Sequence, residues 1–540
     1  MDRPIVGPIQ LLHYNKIKNL TKKEKKMNIQ TDWDLIVIGG GITGAGILRE
    51  AARMNLNVLL VEQNDFAWGT SSRSSKLVHG GLRYLKEGRI FLTRHSVVER
   101  ERLISEAPGL VDPLGFLMPI YSDHGASRWL IKIGLSVYDL LAWKKQHKYF
   151  SRAEFIQEVP NIRQTNLVGG FRFVDAQVDD ARLVLRVIDE ALQTGGLAKN
   201  YTKAKEIIRD NQGNVTGLVV EDTETSKTQT LHTKAIINAS GSWAEQLHPS
   251  PQAGLHLRPL RGSHLVFPLS KIPVKEAVSF EHPDDHRPVF AIPWEGAVLF
   301  GTTDVDFDRE LHQEPVITRQ EADYLMAAAQ ARFPDLGIKE SDCIATIAGI
   351  RPVLSAHKKD PSKESREHVV WIDKGLVTIT GGKLTTFRLL AWDALKAAKP
   401  FLSNFSTEGK GRPVFTQPDT SIEKPSSMSQ SDFQRLCGRY GNKVKEILSQ
   451  ATEETLCLIP NTHTFWAELP YIAANEYIRH LSDILLRRVR IGLLLPDGGR
   501  EHLEKIQTLC APVMTWDKDR WESEKKQYIA HWQKAHGVPF

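Results

Sequence analysis

Cysteine is scarce: 540 residues carry four, Cys343, Cys437, Cys457 and Cys510, far apart and with no C-x-x-C pair. That spacing excludes a disulfide framework and a thiolate metal site, and it suits a reducing compartment. No H-E-x-x-H, paired Cys/His cluster or calcium-loop pattern occurs, so no metal is expected. No window reaches the roughly twenty uncharged apolar residues that span a bilayer; the nearest, Trp129 to Trp143, is interrupted by Lys132 and Asp139. The first thirty-odd residues are lysine-rich and lack the apolar core and small-residue cleavage site of a secretion signal. They read as a flexible extension over 1–31, with Met27 as an alternative start and an organellar presequence as the competing reading. The basic runs lack interleaved aromatic platforms, so no nucleic acid is expected as a partner.

What is present is ordinary globular material. Hydrophobic residues make up 41% and charged residues 25%, and 70 Lys plus Arg against 64 Asp plus Glu leave a formal charge of +6. A chain of this length exceeds one hydrophobic core, so two or three domains are expected. The mild basic excess suits anionic ligands or a membrane surface.

The first motif, WDLIVIGGGITGAGILREAARMNLNVLLVEQND, predicts a strand over Leu35 to Ile38, a glycine turn, a helix from near Thr43, and a second strand over Val58 to Val61 ending in Glu62. Gly39 allows the tight turn, Gly41 lets backbone approach a pyrophosphate, and Gly44 lets the helix close on the strand. The helix N-terminus offers unpaired N–H groups to the phosphates. Glu62 stands where a carboxylate accepts both ribose hydroxyls and excludes a 2′-phosphate. The order of strand, glycines, helix, strand and acid marks a dinucleotide fold, without separating NAD from FAD. Two further strand ends, at Gly241 in INASGSWA and at Gly381-Gly382 in GLVTITGGKLTTFR, also offer bare backbone. A cofactor as long as FAD needs more than one such end; three independent strand-turn-helix units are the plainer alternative.

Eight blocks, DLIVIGGGITGAG, GTSSRSSKLVHGGLRYL, VDDARLV, INASGSWA, RGSHLVFP, FGTTDVD, AGIRPVLS and GGKLTTFR, stand in an order that resembles the FAD-dependent, quinone-linked glycerol-3-phosphate dehydrogenases. The resemblance runs strongly from Asp34 to about Lys399 and more weakly through RRVRIG at Arg487 to Gly492. It implies an α/β fold: a Rossmann-like FAD-binding domain of the flavin amine and hydroxy-acid oxidase group, an antiparallel-sheet substrate domain, and a C-terminal helical domain. The implied division is 1–31 extension; 32–110, 175–255 and 345–400 FAD-binding; 111–174 and 256–344 substrate; 401–430 linker; 431–540 helical. The absent calcium loop matches the bacterial rather than the mitochondrial branch.

The resemblance also implies the chemistry: oxidation of sn-glycerol 3-phosphate to dihydroxyacetone phosphate with non-covalent FAD, and electrons passed to a membrane quinone. Oxygen as acceptor, or a related amine or hydroxy-acid oxidase, are the alternatives. In the family the serine-rich stretch passes under the flavin, which assigns Ser74, Ser75 and Lys76 to the cofactor and turns Arg83 and Tyr84 to the substrate. A phosphate dianion calls for guanidinium forks and an ammonium, and Arg83, Arg351, Arg366 and Lys383 are the candidates. Arg351 is held extended before Pro352. Lys383 stands at a helix start, where a cation opposes the dipole, so a ligand role competes with plain snorkelling to solvent. Arg366, between Glu364 and Glu367, equally suits a surface ion pair. His264 is the expected proton acceptor, because imidazole titrates near neutral pH, with His79 as rival. Asp304 is left without a role.

After Lys399 the chain turns rich in Pro, Ser and Thr, which reads as a connector. Beyond it, the segment from Pro470 to Pro496 alternates apolar and basic positions, and such helices lie on anionic membranes or pack on a neighbouring domain. The Trp129 to Trp143 segment, flanked by Arg128, Lys144 and Lys145, is a second candidate membrane surface. The implied location is peripheral on the cytoplasmic face of the membrane; a homodimer is compatible.

Overall fold

The apolar run Leu35–Ile38 is buried along its whole length and lies inside a six-stranded sheet. The computed structural model describes residues 30–540 except Glu87, His124, Ala126, 249–255 and 356–366, and the side chains of Arg83 and Lys86 are also outside what it describes. The expected extension, apart from its last two residues, thus lies outside the described residues. The sheet order is His368–Asp373, Leu376–Gly381, Ile236–Asn238, Leu35–Ile38, Val58–Val61, Leu197–Lys199. All neighbours are parallel except the edge hairpin of the first two. Parallel strands buried on both faces read as continuous apolar runs. Here Leu35 and Val37 face a core with helices Ile42–Arg53, Asp180–Leu192 and Phe387–Ala398. Ile36 and Ile38 face the other way, onto a three-stranded antiparallel sheet over Thr202–Arg209, Val215–Asp222 and Thr228–His232.

A second sheet has ten strands. Its longest ladders pair Val111–Tyr121 with Leu167–Val178, and Leu257–Pro268 with Ala345–Leu354. The last pairing corrects the expected boundary at 345. Ala345–Leu354 runs in antiparallel register from Leu257↔Leu354 to Val266↔Ala345, so it belongs to the second sheet. Leu167–Val178 likewise continues unbroken across the expected division at 174/175, and Leu77–Val78 joins it at the sheet edge.

Residues 402–429 are largely irregular, yet Val414 and Phe415 are buried in the core of the parallel-sheet domain. Helices follow from Gln430–Tyr440, whose cap residue Ser429 accepts from Asp432 N, to Lys518–Ala535. Of the two fates expected for the basic segment, a membrane surface or a neighbouring domain, the structure shows the second. Leu481, Ile484, Leu485, Leu486, Val489 and Ile491 join the core beneath the second sheet. The cations turn inward as well: Arg487 and Arg488 both bind Asp65, and Arg490 binds Asp179 and Asp180. Alternating apolar and basic residues therefore mark a double-sided interior contact here. Three carboxylates of the parallel-sheet domain supply the counter-charge.

Candidate active site

The glycines hold the turn by contact as well as conformation. Gly39 has φ +112°, and a Cβ there would sit 2.6 Å from Ala239 O; at Gly44 it would sit 1.9 Å from Gly39 O, which is what brings the helix against the strand. At Gly41 a Cβ would meet only Ser71 Oγ, at 3.1 Å, so this residue is bare toward open space rather than packed. Ser71 Oγ accepts from Ile42 N at 3.0 Å, a contact that the glycine motif alone does not predict. Glu62 closes the second strand, its carboxylate accepting Gly40 N at 2.7 Å and Asn64 N at 2.8 Å. Burial raises its pKa against those two backbone donors.

These residues open onto a single cavity of about 1890 Å³. Drug-sized ligands occupy pockets of roughly 300–1,000 Å³, so this one has room for an extended cofactor and a second molecule. Its wall includes Gly39, Gly41, Glu62, Ser74, Ser75 and Gly241. Gly241, at φ +62°, meets nothing where a Cβ would lie, and its carbonyl accepts from Thr380 Oγ1 at 2.9 Å, tying two strand ends together. Gly381 and Gly382, at φ +80° and +74°, also line the cavity. Glycine backbone at three strand ends, open at Gly41 and Gly241, a carboxylate at the second strand, and hydroxyls along one loop fit a long, anionic dinucleotide.

Lys76 departs from the expected position. Its side chain is fully buried and is absent from the cavity wall, with Nζ donating to Asp180 Oδ1 at 2.9 Å and to Ser72 O at 2.7 Å. Burial, then the nearby Arg490, push its pKa down to about 8 against the pull of Asp180. Asp180 also accepts Ser74 N and Oγ, at 2.9 and 2.6 Å. The lysine thus braces the serine loop from behind, its buried ammonium held between the Asp180 carboxylate and the Ser72 carbonyl.

Arg351 lies on the cavity wall with its guanidinium flat over Gly262, where a Cβ would come within 2.1 Å of Nη2. Nη1 donates to Asp304 Oδ1 at 2.9 Å and to Thr303 O at 3.2 Å; Nη2 donates to Thr302 Oγ1 at 2.9 Å. Asp304, left without a role from sequence, is the residue that orients this fork. Lys383 reaches the same cavity, with Nζ on Ser96 Oγ at 3.0 Å and 3.7 Å above the Tyr84 ring. Tyr84 is buried and lines the wall. Arg83 falls in the short helix Leu82–Lys86, but its side chain is outside the described atoms, and Arg366 lies outside the described residues.

His264 is set one layer back. It is buried, absent from the cavity wall, and shares a 2.9 Å hydrogen bond between Nε2 and Ser75 Oγ, while Nδ1 has no partner among the described residues. Burial, reinforced by Arg351 and Lys76, pushes its pKa down to about 3, which corrects the expectation of a group titrating near neutral. His79 is on the wall, its ring stacked 6.5 Å from that of Tyr84. Away from the cavity, ligand atoms of Glu314, His531 and His536 lie within 4.8 Å of one another. The Arg73 guanidinium already pairs with Glu314, bringing to the cluster the positive charge a metal would carry.

The fold and this cavity define a dinucleotide-binding α/β protein with Arg351 and Lys383 on the cavity wall. Residues 34–388 match the family described as FAD dependent oxidoreductase, and 409–521 match the C-terminal domain of alpha-glycerophosphate oxidase. The chain belongs to the FAD dependent oxidoreductase family. It is 33% identical over 500 residues to the aerobic glycerol-3-phosphate dehydrogenase of Staphylococcus haemolyticus, covering 87% of this chain and 89% of that one. The Staphylococcus aureus protein of the same name is 34% identical over 498 residues, with the same coverage. Among solved structures, glycerol-3-phosphate dehydrogenase from Bacillus halodurans complexed with FAD superposes with a TM-score of 0.73 at 27% identity, covering 97% of this chain and 99% of that one. L-alpha-glycerophosphate oxidase from Mycoplasma pneumoniae, at 18% identity and TM-score 0.57, covering 70% of this chain and 97% of that one, shares the fold.

Proposed function

We propose that the protein oxidises sn-glycerol 3-phosphate to dihydroxyacetone phosphate and delivers the electrons to a membrane quinone. The observation that carries the reading is Arg351, a guanidinium locked by Asp304, Thr302 and Thr303 on the wall of a cavity whose other wall is glycine backbone. A fork fixed in advance recognises a phosphate with little ordering cost. Lys383 adds an ammonium, and Tyr84 beneath it fixes where that charge sits. Gly39, Gly41, Glu62, Ser74, Ser75, Gly241, Gly381 and Gly382 are the residues that would hold FAD, which when bound takes the hydride from the carbinol carbon and relays the electrons. Ser75 Oγ is the hydroxyl on the wall next to a neutral imidazole. In this reading Ser75 Oγ meets the substrate hydroxyl and His264 Nε2 holds that serine in place; with so low a pKa the imidazole positions Ser75 and does not store the proton.

The acceptor side rests on the second of the two surfaces expected from the sequence. On helix Arg128–Ala142, Trp129, Leu130, Ile133 and Leu140 share one exposed face, Trp129 at 71% and Leu140 at 66%, and Trp143 follows at 86%. Such a large exposed apolar patch marks a contact site. Arg128, Lys132, Lys144 and Lys145 flank it, the pattern of an interfacial helix on anionic lipid. Leu130, Ile133 and Val137 of this helix also line the cavity, so a lipid-soluble acceptor has an apolar way in. Among the described residues, no helix is long and apolar enough to cross a membrane.

The match of the C-terminal region to a glycerophosphate oxidase domain favours oxygen as a second acceptor reading. Anaerobic addition of glycerol 3-phosphate to the yellow protein, with glycerol and lactate as controls, tests the substrate; bleaching by the phosphorylated alcohol alone is expected. Bleaching by lactate, or none with glycerol 3-phosphate, would overturn it. Peroxide yield against quinone reduction separates the two acceptors.

A further inference from the structure

We propose that Arg287 is a second anion-binding guanidinium of the substrate site, poised on Asp304, and that it sets the preference for a doubly charged over a singly charged substrate. This inference rests on the phosphate-ester reading above. Arg287 lies at the start of strand Pro288–Trp294 of the substrate sheet and lines the same cavity as Arg351. The two arginines are presented alike, since Arg287-Pro288-Val289 repeats Arg351-Pro352-Val353. In each the proline keeps the arginine backbone extended.

A single buried carboxylate stands between them. Asp304 Oδ1 takes Arg351 Nη1 at 2.9 Å, while Oδ2 lies 3.4 Å from Arg287 Nη2 and the Asp304 carbonyl accepts from Arg287 Nη1 at 3.3 Å. The contacts differ in kind. Arg351 is bound on three sides at short range, whereas both contacts of Arg287 are long, and its guanidinium makes no other hydrogen bond among the described residues. Its side chain is 30% exposed, against 5% for Asp304. Arg287 is therefore the member of the triad that can turn to an incoming anion at little cost.

Charge balance gives it a task. Arg351 and Asp304 together are neutral, and with the Lys383 ammonium on the same cavity they carry one net positive charge against the two negative charges of a phosphate dianion. Arg287 raises that sum to two. Fold neighbours such as glycine oxidase and L-amino acid deaminase act on carboxylates by name, and a monoanion needs less. The added guanidinium is the difference that a phosphate dianion calls for.

The test uses the full-length flavin-loaded protein with Arg287→Gln and Arg287→Lys. It measures KM and kcat for glycerol 3-phosphate and the dissociation constants of inorganic phosphate and lactate, read from the perturbation of flavin absorbance. A lost hydrogen bond between charged groups predicts a rise of about 10- to 100-fold in KM and in the phosphate constant for Arg287→Gln. The expected kcat and lactate constant stay within about threefold, and Arg287→Lys recovers part of the loss. Unchanged KM and phosphate binding in Arg287→Gln, or equal losses for phosphate and lactate, overturn the proposal. If the unsubstituted protein is not bleached by glycerol 3-phosphate, the functional reading falls with it; if it is bleached and Arg287→Gln is indifferent, only the role of Arg287 falls.

Discussion

Replacing Asp65 by Asn removes one negative charge from a place where no water can compensate. Asp65 is fully buried, with Arg488 Nη2 on Oδ1 at 2.9 Å, Asn200 Nδ2 on the same oxygen at 3.1 Å, and both Arg487 and Arg488 on Oδ2. The amide would turn an NH2 group toward two guanidinia that remain buried, with Asp483 and Glu476 as their remaining carboxylates. Breaking a buried pair by deleting one partner costs about 3–5 kcal/mol, a large share of the roughly 5–15 kcal/mol that holds a domain together. Urea unfolding followed by circular dichroism, with flavin release in parallel, should show a loss of that size. The acid side gives a second reading. Burial acts to raise the Asp65 pKa, but Arg488 and Arg487 outweigh it and hold the carboxyl down to about 2. Its folded pKa lies below the unfolded value of about 3.9, so its contribution is complete above about pH 4 and is lost as the pH falls toward 2. Asp65→Asn should flatten the stability profile across that window. An Asp65→Asn protein within about 1 kcal/mol of the parent would refute the claim that this cluster fastens the C-terminal domain.

Three further variants address the site and its surface. Gly44→Ala places a Cβ 1.9 Å from Gly39 O, so the purified protein should be colourless or insoluble; a normal ratio of flavin to protein absorbance argues against the tight helix-strand contact. Arg351→Leu should raise KM for glycerol 3-phosphate by at least about 100-fold, the loss of a bidentate charged contact, with flavin content unchanged; equal loss of both would make Arg351 structural. Ile133→Asp with Leu140→Asp, both on exposed positions, should leave the fold intact and reduce sedimentation with anionic vesicles by at least tenfold, whereas unaltered partition would assign the apolar face to another contact.

Features set by near neighbours were legible in the sequence. The strands Leu35–Ile38 and Val58–Val61 follow from apolar runs bounded by glycine and acid, and the roles of Gly39 and Gly44 follow from the spacing of one turn. What escaped depends on partners far along the chain. Lys76 sits among hydroxyls that suggest a cofactor loop, but its fate is decided by Asp180 and Arg490. The burial of His264 follows from its packing on the neighbouring strand at Gly301 and behind Ser75, and nothing in RGSH announces a displaced pKa. Arg487, Arg488 and Arg490 alternate with apolar residues as in a membrane-lying helix, because both settings place apolar and charged groups on opposite sides; only Asp65, Asp179 and Asp180 distinguish them. Arg287 left one usable signal, the Arg-Pro-Val it shares with Arg351.

The hydrogen bond from Arg490 Nη2 to Ser72 O, at 3.1 Å, closes the serine loop with a residue more than four hundred positions downstream. During synthesis the parallel sheet can assemble long before that arginine leaves the ribosome, since domains fold as they emerge. The loop cannot take its final shape until then. Cofactor capture is accordingly a late event, and a nascent chain halted before Arg487 should display a folded but leaky vestibule that binds its yellow guest only loosely.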